Sequence, residues 1–293
     1  MDSTKVAYIK LHIAVLLFGL TAILGAKIQL AAVELVWWRV LITSLSLFFL
    51  IQFGAQLKLI PRKYVFQFIG IGVIIALHWI CFFGAIKLSN ASITLVCMAT
   101  QSFFTAVTEP LVLKEKIKGY ELMLGLMMIP GMLLVVNGVS HGMLLGIGVG
   151  LLSAFFGALF TSFNKKLVHV SDSKNITFLE LTAAWVFISF LLPFCRNPDI
   201  PFLPQGEDWW YLIVLALLCT TLAFVLALQA LEYISAFASN LIVNLEPVYG
   251  IILAVFILKE NKDLSLSFYA GVLIILGAIF VYPFLKKKFS KAL

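Results

Sequence analysis

Charged residues are scarce in this chain of 293 residues, at 12% of the sequence, whereas 62% of the residues are hydrophobic. Soluble domains carry about 25% charged residues, so this chain has too few polar groups to cover a surface in water. Lipid is the solvent that suits such a composition. The scarcity of charge therefore excludes a water-soluble globular domain and indicates an integral membrane protein.

Paired cysteines and clustered histidines are also missing. The four residues of each type are scattered over separate segments: Cys81, Cys97, Cys195 and Cys219; His12, His78, His141 and His169. Metal sites need ligands at short, regular spacing, so we predict no metal and no cofactor, and we predict that the protein is not an enzyme. The net charge of +7 falls in loops between apolar runs, so we expect no nucleic-acid partner.

Apolar runs recur along the whole chain. Each has about 20 residues, the length that an α-helix needs to cross about 30 Å of hydrocarbon. Ten runs are present, at 7–26, 34–53, 65–86, 91–113, 120–138, 143–164, 177–194, 209–231, 235–258 and 267–285. The sequence therefore predicts an all-α polytopic membrane protein with ten transmembrane helices.

Basic residues are distributed unevenly between the loops that join these runs. If the N-terminus is cytoplasmic, fifteen of the 21 Lys and Arg residues fall on the cytoplasmic side and five on the other, with Arg39 inside a helix. Lys and Arg mark the cytoplasmic loops of membrane proteins. We therefore expect both termini in the cytoplasm.

The chain also repeats itself. Residues 85–117 align without a gap with residues 230–262, at an offset of 145 residues, and both segments end in an apolar run followed by Lys-Glu. Since each half holds five predicted helices, an odd number, the second half enters the membrane from the opposite side. We therefore predict two inverted five-helix repeats, 1–138 and 139–293, an arrangement that permits alternating access.

The duplicated pattern resembles the EamA family of the drug/metabolite transporter superfamily. The likeness rests on ten helices in two halves, on a Phe-Gly pair in the first helix of each half, and on LEPVYGIILAVFILKE at 245–260. It implies a secondary transporter of small metabolites, an exporter that works without ATP hydrolysis in the bacterial inner membrane. The first half departs from the pattern, because Gln101-Ser102 stands where the second half has Glu246-Pro247.

Glu246 is the strongest candidate for a functional residue. It lies near the middle of the run 235–258, where an ionisable group is costly and therefore indicates function. Pro247 beside it removes one helix hydrogen bond. We expect Glu246 to bind a substrate or a coupling proton; a structural Glu that is hydrogen-bonded within the bundle is the alternative.

Seven further residues are candidates to bind substrate. Gln101 aligns with Glu246, although hydrogen bonding between helices explains it equally well. His78 lies in the middle of a helix and would relay a proton or bind an anion; a neutral His bonded to a carbonyl is the alternative. The remaining candidates supply amide groups or aromatic faces, which attract organic cations: Trp79, Phe103, Trp185, Asn244 and Tyr249.

Three charged residues are candidates for gating or coupling. Arg39 lies one to two turns inside its helix, where it would extend to the interface, pair with Glu34, or bind a substrate carboxylate. Glu109 and Glu180 lie near the cytoplasmic ends of their helices, where an inner gate, a coupling-ion site and simple solvation are all open. Small residues at a spacing of four, 142–150, allow close packing of helices, within one chain or in a homodimer.

These features together predict a secondary transporter of small metabolites, with amino acids, amines or other cationic or zwitterionic compounds as substrates. The expected partners are the substrate, the lipid bilayer and a coupling proton. A membrane-embedded enzyme, or a scaffold without transport activity, is the alternative. Neither of these would need an inverted duplication.

Overall fold

The computed structural model describes residues 3–51, 57, 59–127, 130–131, 133–134, 140–196, 200–259 and 265–289. Most of these residues are helical, and none of them lies in a β-strand. Thirteen α-helices occur in this part of the chain. They are α1 Ser3–Lys27, α2 Ala32–Leu50, α3 Arg62–Leu88, α4 Ala91–Ala99, α5 Gln101–Leu113, α6 Gly119–Leu126, α7 Leu144–Leu167, α8 Ser173–Cys195, α9 Asp208–Ala216, α10 Ala223–Leu231, α11 Ala236–Val243, α12 Glu246–Leu253 and α13 Leu266–Phe289. A π-helix at Leu217–Leu222 joins α9 to α10, and another at Ala254–Leu258 continues α12.

Seven helical stretches of the described chain are long and apolar enough to cross a membrane. They are Ser3–Lys27, Ala32–Leu50, Arg62–Leu88, Ala91–Leu113, His141–Leu167, Ser173–Cys195 and Asp208–Leu231. The 27 residues of α3 rise about 40 Å, which exceeds the thickness of the hydrocarbon core. A helix satisfies its own backbone hydrogen bonds in lipid, so these stretches confirm an all-helical, polytopic membrane protein.

The other three predicted spans have different outcomes. The run 120–138 begins in α6, but several of its later residues lie outside the described part of the chain. The run 235–258 is not one α-helix, because it is divided between α11 and α12 and ends in a π-helix. The run 267–285 lies within α13. The total of ten spans therefore stays a prediction.

The two aligned segments share a break at the same place. Thr100 separates α4 from α5, and Asn244 with Leu245 separates α11 from α12. As a result Gln101 and Glu246, which align at the offset of 145 residues, each begin the second piece of a broken helix. This places both side chains beside backbone that lacks a continuous ladder of hydrogen bonds.

The ends of these broken helices also agree. The side chains of Asn90 and Ser235 each accept a hydrogen bond from the backbone nitrogen three residues further on, at 2.8 and 3.1 Å. Lys114 and Lys259 follow the last turns, and both are left-handed, with φ of 60° and 59°. A residue of this conformation ends a helix. The aligned sequences therefore fold with the same start, the same break and the same end.

Helix α3 is central to the packing, because it contacts α2, α7 and α8. Gly72 allows the close approach of α3 to α8, since a Cβ at this position would overlap the carbonyl oxygen of Glu180. On the other side of the bundle α1 packs against α10 and α12. These contacts bring helices from both halves of the chain around one interior space.

Candidate functional site

A cavity of about 100 Å³ lies where helices of the two halves meet. Apolar and aromatic side chains form much of its wall, among them Phe18, Trp79, Phe82, Phe160 and Phe224. The polar residues of the wall come from both halves: Thr21, Arg39, His78, Gln101, Thr161, Asn164, Ser239, Asn240 and Glu246. An apolar pocket with a few convergent polar groups is the usual form of a small-molecule site.

Two opposite charges share this cavity. Arg39 is 1% exposed and Glu246 is 7% exposed, and both line the wall. Yet they form no ion pair within 4 Å, and no side chain or backbone group of the described residues makes a hydrogen bond to the Glu246 carboxylate. The cavity therefore holds a buried basic side chain and a buried acidic side chain that form no direct ion pair.

Arg39 is held by groups other than an acid. Its Nε donates a hydrogen bond to Thr220 Oγ1 at 2.7 Å, and its Cζ lies 4.2 Å from the centroid of the Trp79 ring. Thr220 is presented by the π-helix between α9 and α10, where its hydroxyl donates to the carbonyl of Leu215. The Nη1 atom of Arg39 is buried without a hydrogen-bond partner, so the guanidinium retains a free donor.

Hydrogen bonds between His78 of α3 and Ser153 of α7 connect these two helices and determine the tautomer of the His78 ring. Its Nδ1 lies 2.8 Å from the carbonyl oxygen of Ser153, and Ser153 Oγ donates to the carbonyl of His78 at 2.8 Å. A carbonyl can only accept, so Nδ1 carries the hydrogen and Nε2 of the neutral ring is an acceptor. Since His78 lines the cavity, this acceptor is available to a ligand.

The aromatic wall of the cavity is continuous. Phe160 and Phe224 stack with ring centroids 5.9 Å apart, Trp79 meets Phe224 at 5.9 Å, and His78 meets Phe160 at 5.3 Å. Such a wall suits the apolar part of a ligand, or a cation over a ring face.

Gln101 reaches the cavity past a glycine of α7. A Cβ at Gly157 would lie 2.6 Å from Gln101 Oε1, so the Phe-Gly pair of the second half leaves room for this amide. Nearby, Asn240 donates a hydrogen bond to Thr105 Oγ1 at 2.7 Å. The broken helices of both halves thus contribute amides to the same wall.

Four of the predicted substrate-binding residues do not line this cavity. Asn244 donates to Ser102 Oγ at 3.0 Å, and Tyr249 is 38% exposed. Trp185 packs against Trp37 with centroids 5.8 Å apart; Phe103 contacts α6 at Gly125. Tyr249 follows Glu246 by three residues in the same helix, α12, but its Cβ lies beside Gly19 of α1.

The predicted gating residues have three different surroundings. Arg39 lies in the cavity. Glu109 caps the start of α11, accepting hydrogen bonds from the backbone nitrogens of Ala236 and Phe237 at 2.8 and 2.7 Å. Glu180 is 0% exposed and accepts a hydrogen bond from Asn164. No distance in the structure assigns a gating or coupling role, so these roles stay predictions.

Several cavity residues were not among the predicted site residues. Thr21, Thr161, Asn164, Asn240 and the rings of Phe160 and Phe224 belong to this group. One signal was available for Asn164, which is an amide in an apolar run and precedes Lys165. The phenylalanines gave no signal, because 26 of them are spread over the chain.

Comparison with known proteins decides the family. The profile of the EamA-like transporter family matches residues 5–137 and again residues 144–282. The chain belongs to the EamA-like transporter family. The two matches cover nearly the whole chain, one in each half.

Two curated bacterial proteins resemble this chain over most of its length. It is 28% identical to the uncharacterized transporter YetK of Bacillus subtilis (strain 168), over 96% of this chain and 88% of that protein. It is 25% identical to the uncharacterized transporter YxxF of the same organism, over 84% and 80% of the two chains. A solved crystal structure superposes with a TM-score of 0.72 at 14% identity over 98% of each chain, which shows a shared fold.

Proposed function

We propose that this EamA-family protein is a secondary transporter that exports a small zwitterionic metabolite, such as an amino acid, through the central cavity. The observation that supports this most strongly is the pair Arg39 and Glu246. Both are buried in the cavity wall, and neither forms an ion pair with the other.

Unpaired buried charges are costly, because each loses its hydration without gaining a partner. A ligand with an ammonium group and a carboxylate would compensate both at once. Glu246 would accept from the ammonium group, and Arg39 would donate from Nη1 to the carboxylate, in a charge-assisted hydrogen bond. The aromatic wall would take the apolar part of the ligand. A simple amine would engage Glu246 and leave Arg39 uncompensated.

Alternating access is the mechanism that this architecture favours. We propose that residues 1–138 and 139–293 are two repeats of inverted topology and that they exchange shapes about the cavity. The shared start, break and end of the two broken helices support this relation. Broken helices near mid-membrane are typical of substrate sites in such transporters.

The membrane location follows from the same proposal. We place the protein in the bacterial inner membrane with both termini in the cytoplasm, on the strength of the uneven distribution of Lys and Arg. A membrane enzyme is the competing function. The described residues contain no group of three His, Cys, Asp or Glu side chains that could hold a metal. Ser153 Oγ lies 3.1 Å from Nδ1 of His78, but it donates to the carbonyl of His78 and Ser153 does not line the cavity.

Transport in proteoliposomes tests the proposal. Vesicles with the wild-type protein, with Glu246→Gln, or with the exposed control Glu115→Gln would be given a radiolabelled amino-acid mixture and, separately, radiolabelled putrescine. We expect the wild type and Glu115→Gln to exchange amino acids, and Glu246→Gln to approach empty vesicles. Unchanged transport and unchanged pH dependence in Glu246→Gln would contradict the role of Glu246. Exchange of putrescine without exchange of amino acids would contradict the proposal that the substrate is a zwitterion.

A further inference from the structure

A second buried carboxyl group lies beside the cavity, at Glu180 on α8. It is 0% exposed, and its Oε1 has no hydrogen-bond partner. Its Oε2 accepts a hydrogen bond from Asn164 Nδ2 at 3.3 Å. Asn164 is itself 2% exposed, its Oδ1 has no partner, and it lines the cavity. One amide therefore separates Glu180 from the cavity.

No cation compensates Glu180 in the described part of the chain. Helices α2, α3 and α10 pack against α8, and Asn164 belongs to α7. The central titratable groups of these helices bond elsewhere: Arg39 to Thr220, His78 to Ser153, and Lys165 to the carbonyl of Leu231. The remaining titratable residues of these helices are Glu34, Arg62, Lys63, Tyr64, Cys81, Lys87 and Lys166. None of the basic ones lies within 4 Å of Glu180, and α10 has no titratable residue.

A proton is the cation that this site can bind. A metal ion prefers several oxygen ligands, whereas the free oxygens here are Glu180 Oε1 and Asn164 Oδ1. A proton needs one oxygen, and the neutral acid that it forms tolerates burial far better than a lone carboxylate does. The close packing at Gly72 also leaves no room for the backbone of Glu180 to withdraw from this position.

The orientation of the Asn164 side-chain amide can change with the protonation state of Glu180. An ionised carboxyl group only accepts, so it turns Nδ2 towards itself and leaves Oδ1 free. A protonated carboxyl group can donate to Oδ1, which requires a half-turn of the amide and places Nδ2 where Oδ1 now lies. The hydrogen-bonding character of the cavity wall at Asn164 thus depends on whether Glu180 holds a proton.

We propose that Glu180 binds the coupling proton and that Asn164 links this proton to the cavity, while Glu246 and Arg39 hold the substrate. The inference rests on the proposed transport function and assigns to Glu180 a role separate from that of Glu246. Proton binding at Glu180 and substrate binding would then influence each other through one rotating amide.

Transport by reconstituted Glu180→Gln tests the coupling. Exchange of the radiolabelled amino-acid mixture would be measured at equal pH on both sides, and accumulation would be measured under an imposed pH gradient. We expect this variant to keep exchange and to lose accumulation, whereas Glu246→Gln loses both. Normal accumulation by Glu180→Gln, loss of both activities in a folded variant, or accumulation driven by a sodium gradient would overturn the proposal.

Infrared difference spectroscopy of a pH titration tests the site without any substrate. We expect the wild type to show a carbonyl band of a protonated carboxylic acid that disappears in Glu180→Gln and shifts in Asn164→Ala, with Glu115→Gln as the control. An unaltered band in both site variants would overturn proton binding at Glu180. If the wild type transports neither probe, the proposed function fails, and the infrared result still decides whether Glu180 binds a proton.

Discussion

The guanidinium carbon of Arg39 lies 4.2 Å from the centroid of the Trp79 ring. A cation over an indole face gains about 2 kcal/mol when both are desolvated, so the ring offsets part of the cost of burying Arg39. This contact, with the hydrogen bond to Thr220, holds the charge in place without an acid. The free Nη1 of Arg39 and the carboxylate of Glu246 therefore remain available in one cavity.

The support of Arg39 by Thr220 gives a prediction about stability. Thr220→Val keeps the shape of the side chain but leaves Arg39 Nε without its acceptor, which we expect to lower the free energy of unfolding by about 1–3 kcal/mol. Thermal unfolding of the purified protein in detergent measures this change. Thr182→Val is the matched control, because Thr182 Oγ1 is buried without a hydrogen-bond partner. Removing this hydroxyl group should leave the free energy of unfolding unchanged or raise it. Equal destabilisation by both variants would contradict the hydrogen bond between Arg39 and Thr220.

The approach of α3 to α8 gives a second prediction. Gly72→Ala places a Cβ against the backbone of Glu180, and overpacking of this kind costs about 1–3 kcal/mol. Gly70→Ala, two residues earlier in the same helix, has nothing within 4 Å of its new Cβ and favours the helix. We expect Gly72→Ala to reduce the yield of monodisperse protein and the melting temperature, and Gly70→Ala to leave both unchanged. Similar behaviour of the two variants would show that the helices are further apart than described.

The helical, membrane-embedded character of the fold was predictable from the composition and from the apolar runs of the sequence. Apolar runs of membrane length became helices because lipid offers no other partner for the backbone. The break in the run 235–258 was not predicted, because the chain is apolar on both sides of Asn244 and the run reads as one span. The same reasoning placed Tyr249 on the face of Glu246; both residues lie in α12, but Tyr249 is 38% exposed and does not line the cavity.

The cavity was predictable only in part. Glu246 and His78 were singled out as ionisable groups in the middle of predicted spans, Gln101 because it aligns with Glu246, Trp79 as an aromatic face, and Arg39 as a charge inside a helix. The structure brings these five residues around one space. That Asn164 separates Glu180 from this space depends on a hydrogen bond between α7 and α8, which no periodicity within one helix reveals.

Competition by modified amino acids tests the central claim, that Arg39 and Glu246 bind the two charges of one substrate. Methyl esters of the amino-acid mixture lack the carboxylate, and N-acetylated forms lack the ammonium group. Inhibition of radiolabelled uptake would be measured for both series and for the unmodified mixture, with the wild type and with Arg39→Gln. We expect both modified forms to inhibit the wild type about tenfold more weakly, which corresponds to about 1.4 kcal/mol. In Arg39→Gln the esters should match the unmodified mixture. Equal inhibition of the wild type by all three series would contradict the claim.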